Sequence, residues 1–171
     1  TPMLELHGLK GAVISAVDLV KGLGKVAGMD VIEVEGACGT LNTNFAGKAA
    51  AALAAIKDHD FVYIHMEAPD ECGHQGDKEG KIKSIELIDR LVVGPIYEEM
   101  TRRGEPFRML VTPDHPTPLA LRTHVSDPVP FVMYDSEKEV HGCETYNEMN
   151  VRTTRVYFGS GVEMFAAFTG K

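Results

Sequence analysis

Asp70 and His74, four residues apart in the run Asp-Glu-Cys-Gly-His, and the pair Asp114-His115 followed by His124 are the residues whose types and spacing could do chemistry in this chain. Carboxylates supply charge and imidazoles a directional nitrogen, a mixture that suits zinc, manganese or iron better than calcium. If these donors converge, they make a two-metal site. Cys72 is not counted as a ligand, because turning it inward would crowd the two side chains that flank it. Each piece also has an ordinary reading. The Asp-to-His spacing is that of a helical ion pair, although Pro69 and Gly73 weigh against a helix there. Asp114, after Thr112-Pro113, could cap backbone donors of a turn, and His124 could be a solvated loop histidine. The conjunction of all three after two apolar runs is what favours metal.

Those apolar runs must do the positioning. Phe61-Val62-Tyr63-Ile64 is aromatic and β-branched, is bounded by Asp58-His59-Asp60 and Pro69, and reads as a buried strand. Phe107–Val111, ended by Pro113, and Val129–Tyr134 read as two more strands, and Met29–Val34 as a short one. Ala12–Val20 carries small and apolar residues at helical spacing, with Lys21 and Gly22 as stop signals. The alanine run from Phe45 to Lys57 predicts a helix capped by Asn42 or Thr43. Ile82, Ile85, Ile88, Leu91, Val92, Ile96 and Met100 predict a long helix, interrupted near Gly94 because Pro95 lies within it. A short helix is expected over Gly161–Phe168. Alternating strands and helices predict an α/β fold of three layers, a mostly parallel sheet with helices on both faces. In such sheets ligands bind beyond the carboxyl ends of the strands, where Asp70 and Asp114 would emerge side by side if their strands run parallel.

The chain has 171 residues, 44% hydrophobic and 25% charged, enough for one ordinary globular domain. Its net charge of −8, with no basic stripe, argues against nucleic acid as a partner. Cys38, Cys72 and Cys143 lie far apart, which excludes an all-disulfide framework and fits a reduced, cytoplasmic setting. No apolar stretch is long enough to span a bilayer, so no membrane role is expected. An opening Thr-Pro in place of Met fits a processed or truncated product.

The motifs Glu67–His74, Thr112-Pro113-Asp114-His115 and His124 with Asp127–Phe131 resemble those of the cofactor-independent (2,3-bisphosphoglycerate-independent) phosphoglycerate mutases of the archaeal type, within the alkaline phosphatase superfamily. Gly8–Ile14, Ala27–Ile32 and Asp89–Ile96 look like the same branch, so the resemblance covers essentially the whole chain. It implies an alkaline phosphatase-like core, two divalent ions with manganese foremost and zinc or magnesium as alternatives, and a phosphorylated three-carbon acid as substrate. By the resemblance, Asp70, His74 and His124 hold one ion, and Asp114 with His115 contribute to the second. Such a pair clamps the attacking and leaving oxygens of a phosphoryl displacement, which in the family passes through a phosphoserine.

The chain departs from that pattern in one respect. The serine motif, and an aspartate completing the second metal site, belong to the family's N-terminal part, and Ser15, Ser84, Ser126, Ser136 and Ser160 do not sit in that motif. Residues 1–171 therefore read as a C-terminal portion, without the nucleophile segment or the inserted substrate domain, and inactive alone. Fold and metal ligands are shared with homoserine kinase-like phosphotransferases, phosphatases and sulfatases, so these stay open as alternatives, as does a non-enzymatic metal-binding or scaffold domain. A truncated sheet would leave an unpaired edge and an apolar patch, from which a homo-oligomer is expected. Lys21, Lys25 and Arg122 receive no role. His65 is either a group behind the site or a hydrogen-bonded core histidine. His7, His59 and His141 read as surface residues, and Met66, Met100 and Met109 as core.

Overall fold

In the computed structural model, which describes residues 1–138 and 140–170, the chain is mixed α/β and divides into two compact units. The first unit comprises Thr1–Glu99 with Thr117–Thr123; the remaining described residues form the second. In the first, α1 (Met3–His7) leads to β1 (Gly11–Ile14), α2 (Asp18–Val26), β2 (Asp30–Val31), α3 (Phe45–Ala55), β3 (Phe61–Ile64), α4 (Ala68–Gln75) and α5 (Lys78–Ile88). A π-helical turn over Asp89–Val93 then feeds α6 (Gly94–Arg103).

The sheet of the first unit has the order β2-β1-β3, parallel throughout, so α2 and α3 are the crossovers that parallel pairing requires. All four residues of β1 are buried, as expected of a central strand covered on both faces. This corrects the expected helix over Ala12–Val20: Ala12-Val13-Ile14 is strand, and the helix begins only at Asp18. A short apolar run carries no periodicity that separates strand from helix. Lys21 and Gly22, expected as stop signals, lie inside α2. That helix comes close to the sheet at Gly24, where an added Cβ would lie 2.4 Å from Val13 Cγ1. It leaves Leu19, Leu23 and Val26 exposed.

The alanine-rich α3 forms as expected, but its cap is Asn44, whose side chain accepts from Gly47 N–H at 2.8 Å, one or two residues beyond the expected Asn42 or Thr43. Phe45 and Ala49 of α3 pack with Ala68 and Val92 into one buried cluster, in which burial of Phe45 and Val92 is worth roughly 1.5–3 kcal/mol each. The interruption expected at Pro95 is the π turn: Gly94 N–H bonds to Asp89 O, a wider step that accommodates a proline lacking its own donor.

In the second unit, β4 (Arg108–Val111) pairs antiparallel with β5 (Val132–Asp135), in the register Arg108↔Asp135 to Val111↔Val132. Side-by-side emergence of Asp70 and Asp114 is conditional on parallel strands, and the ladder made by the strand before Asp114 is the antiparallel one with β5. α7 (Gly161–Thr169) ends the described chain, capped by Ser160. Arg108 ties the unit together, donating to Asp135 at 2.8 Å and to the carbonyl of Phe168 at 3.0 Å.

Candidate metal centre

Asp70 and His74 lie on α4, not on the loop that Pro69 and Gly73 suggested. Pro69 falls in the first helical turn, where its missing N–H costs nothing and its fixed φ suits the helix. Gly73 is required by packing: a Cβ there would stand 2.7 Å from the carbonyl oxygen of Thr117. The helix therefore lies directly against the segment 117–123, which supplies two partners that sequence reading missed.

The first partner is Thr117, which is buried and donates its hydroxyl to Asp70 Oδ1. Its own carbonyl is held by Lys81 Nζ at 2.7 Å. The second is Arg122, whose backbone sits in the left-handed region at φ 53° and whose carbonyl lies 2.9 Å from His74 Nδ1. Only the imidazole can donate in that pair, so Nδ1 carries the hydrogen. In the neutral ring Nε2 then presents a lone pair, and it faces Asp70 Oδ2 at 3.4 Å. Two acceptors held face to face call for a proton or a cation between them, and an imidazole oriented through its other nitrogen by a carbonyl is the arrangement metal ligands adopt. The donor set of α4 therefore fits a divalent ion.

Around this pair, burial followed by the charges of Glu71 and Asp70 pushes the Glu67 carboxyl up, while Lys48 opposes. Burial pushes the Cys72 thiol up.

In the second unit Asp114 is exposed, accepts from His115 N–H at 3.0 Å and lies 3.5 Å from His115 Nε2. The local capping bond foreseen for Asp114 is thus present, and it leaves Oδ2 toward the imidazole. The rings of His115 and His124 lie against each other, tilted by 33°, with centroids 3.7 Å apart. The five expected ligands accordingly fall as Asp70 with His74 in one unit and Asp114, His115 and His124 in the other.

His65 is half-buried and hydrogen-bonded, its Nδ1 3.3 Å from the buried Ser15 Oγ. His59 is not the surface residue expected. Its side chain is 10% exposed and its two nitrogens face Asp30 Oδ2 and the carbonyl of Ala55, each at 2.9 Å.

A family model described as the metalloenzyme superfamily matches residues 1–157. The chain is 51% identical over 153 residues to a 2,3-bisphosphoglycerate-independent phosphoglycerate mutase of Methanosarcina mazei, covering 89% of this chain and 38% of the relative. It is 55% identical over 146 residues to the protein of the same name from Methanothrix thermoacetophila, covering 85% and 37%. It thus spans less than half the length of these curated relatives. A solved protein from Pyrococcus horikoshii superposes with a TM-score of 0.85 at 28% identity, covering 99% of this chain and 52% of that one. With the match running through both units and every candidate ligand, the chain belongs to the metalloenzyme superfamily.

Proposed function

We propose that this chain is part of a di-metal, cofactor-independent phosphoglycerate mutase that interconverts 3-phosphoglycerate and 2-phosphoglycerate through a phosphoserine. The observation that carries the reading is the identity of 51% and 55%, sustained over most of the chain, to proteins bearing that name. In this reading Asp70, His74 and His124 hold one divalent ion, and Asp114 with His115 contribute to a second. Manganese is the expected metal, with zinc or magnesium as alternatives. When bound, such ions supply Lewis acidity toward phosphoryl oxygens. The chain's own part is to hold the donors ready: Thr117 fixes the Asp70 carboxylate, and the Arg122 carbonyl sets the tautomer and direction of the His74 ring.

Residues 1–171 act as the C-terminal portion of the metal-dependent domain, on a phosphorylated three-carbon acid, in the cytoplasm. Among the described residues, no helix is long and apolar enough to cross a membrane. None of the five serines weighed above sits in a nucleophile motif, so the 171 residues alone carry no mutase turnover.

Calorimetric titration with manganese(II) and zinc(II) tests the metal assignment. The chain is expected to bind, and His74→Ala to bind roughly tenfold or more weakly, since one of few ligands is lost. Unchanged affinity in the variant would remove His74 from the site. Robust conversion of 3-phosphoglycerate by the 171 residues would overturn the proposed dependence on a serine supplied from elsewhere.

A further inference from the structure

α3 buries one face, Phe45, Ala49, Ala52 and Ala55, and Lys48 lies on that same face with 1% exposure. An ammonium in such a place is costly, and burial accordingly holds its pKa below the usual lysine range. Its hydrogen-bond acceptor is the carbonyl of His65, 3.0 Å away. His65 is the first residue after β3, and other hydrogen bonds cluster around it and just beyond it. Its N–H donates to Ile14 O at 2.8 Å, extending the ladder by one step. Its ring meets Ser15 Oγ, which in turn accepts from Val17 N–H at 3.0 Å. Two residues on, the carbonyl of Glu67 accepts from Asp70 N–H at 2.9 Å and Glu71 N–H at 3.1 Å, opening α4. The ends of β1 and β3 and the buried side of α3 therefore meet at His65, two residues before the carbonyl that opens α4.

A neutral donor would satisfy the His65 carbonyl at lower desolvation cost. What lysine adds is a positive charge that opposes the upward push of Glu71 and Asp70 on the Glu67 carboxyl, three residues before Asp70. We propose that Lys48 is a positioning residue for Asp70 and His74, holding through the His65 carbonyl the junction from which α4 delivers both ligands. This rests on the reading of Asp70 and His74 as metal ligands.

The sign of one measurement separates positioning from bare electrostatics. Removing a positive charge near a cation site should tighten metal binding if the ammonium acts only through its field. Loss of positioning should weaken it. Manganese(II) titration of the full chain, well below the unfolding temperature, is expected to show roughly tenfold weaker binding in Lys48→Met, on the scale of losing a group that supports a ligand. Lys48→Gln, which keeps a donor, is expected to recover part of that loss and serves if the methionine variant does not fold. Amide exchange without metal is expected to quicken selectively over residues 66–74 in the variants. A solely structural lysine would lower thermal stability and leave the affinity of the folded chain unchanged. Unchanged or tighter binding in both variants overturns the inference while leaving the metal reading intact. Absence of manganese binding by the unaltered chain overturns the metal reading, and the positioning role with it.

Discussion

Although the helix that sets them on one face emerges only in the structure, Asp70 and His74 are legible in the sequence as a candidate donor pair from residue type and their place after an apolar run. The groups that give the pair its direction are not. Thr117 and Arg122 lie 47 and 48 residues from their partners, and neither is an unusual residue for an exposed loop until the loop is seen against α4. Thr117 is the more informative to change, because Thr117→Val keeps the buried shape and removes only the hydroxyl. A hydrogen bond to a charged acceptor contributes about 1.5–3 kcal/mol. The valine variant is therefore expected to unfold at lower denaturant concentration, and to bind manganese about 10-fold more weakly, as when a ligand's outer partner is lost. Equal affinity for the two proteins would show that the Asp70 carboxylate needs no such support. Lys48 had a signal in the sequence: a lysine in phase with Phe45, Ala49, Ala52 and Ala55 breaks an otherwise apolar helical stripe.

At the scale of elements, the long helix, its interruption at Pro95, the alanine helix and the strand over 61–64 follow from periodicity, caps and side-chain type. Two misreadings have distinct physical causes. Ala12-Val13-Ile14 is too short to show a period, and its burial on both faces erases the alternation that marks a strand. The run from Ala68 to Gln75 looks unlike a helix because it contains Pro69 and Gly73, each of which has a local reason to be there. Glycine at 73 trades helix propensity for a close approach to Thr117. Gly73→Ala is expected to destabilise the chain by about 1–3 kcal/mol, because the clash with backbone outweighs the gain in propensity. Gly22 provides the contrast within α2, since nothing lies within 4 Å of a Cβ added there. Gly22→Ala is expected to stabilise by about 0.5–1 kcal/mol, the ordinary helix preference for alanine. Thermal unfolding of both variants checks the pair, and the same sign at both sites would refute the packing argument.

Taken as a whole, the molecule places its parallel sheet with α4 in one unit and the β4–β5 ladder with His115 and His124 in the other. The second unit contains a titrating group that reports on its integrity. Tyr146 donates to the carbonyl of Pro130 at 3.0 Å, and burial, then Glu148, pushes its phenol up to about 12. A raised pKa means that the neutral phenol is the form the fold prefers. Its contribution is complete below the ordinary value of 10.0 and is lost as pH rises toward about 12. Because the residue is 42% exposed, the effect is modest. Urea midpoints measured between pH 8 and 12 are expected to fall less steeply in Tyr146→Phe than in the unaltered chain; parallel curves would mean that Tyr146 is not responsible. The sequence by itself determined most of the helices and the strand before Asp70, and it singled out the candidate donors, because residue chemistry and local periodicity are written in neighbouring positions. Tertiary structure alone decided which strand pairs with which and what holds the candidate ligands. Lys48 to His65, Asp70 to Thr117 and His74 to Arg122 join residues 17, 47 and 48 positions apart, and contacts at such separations are set by packing that no local propensity encodes.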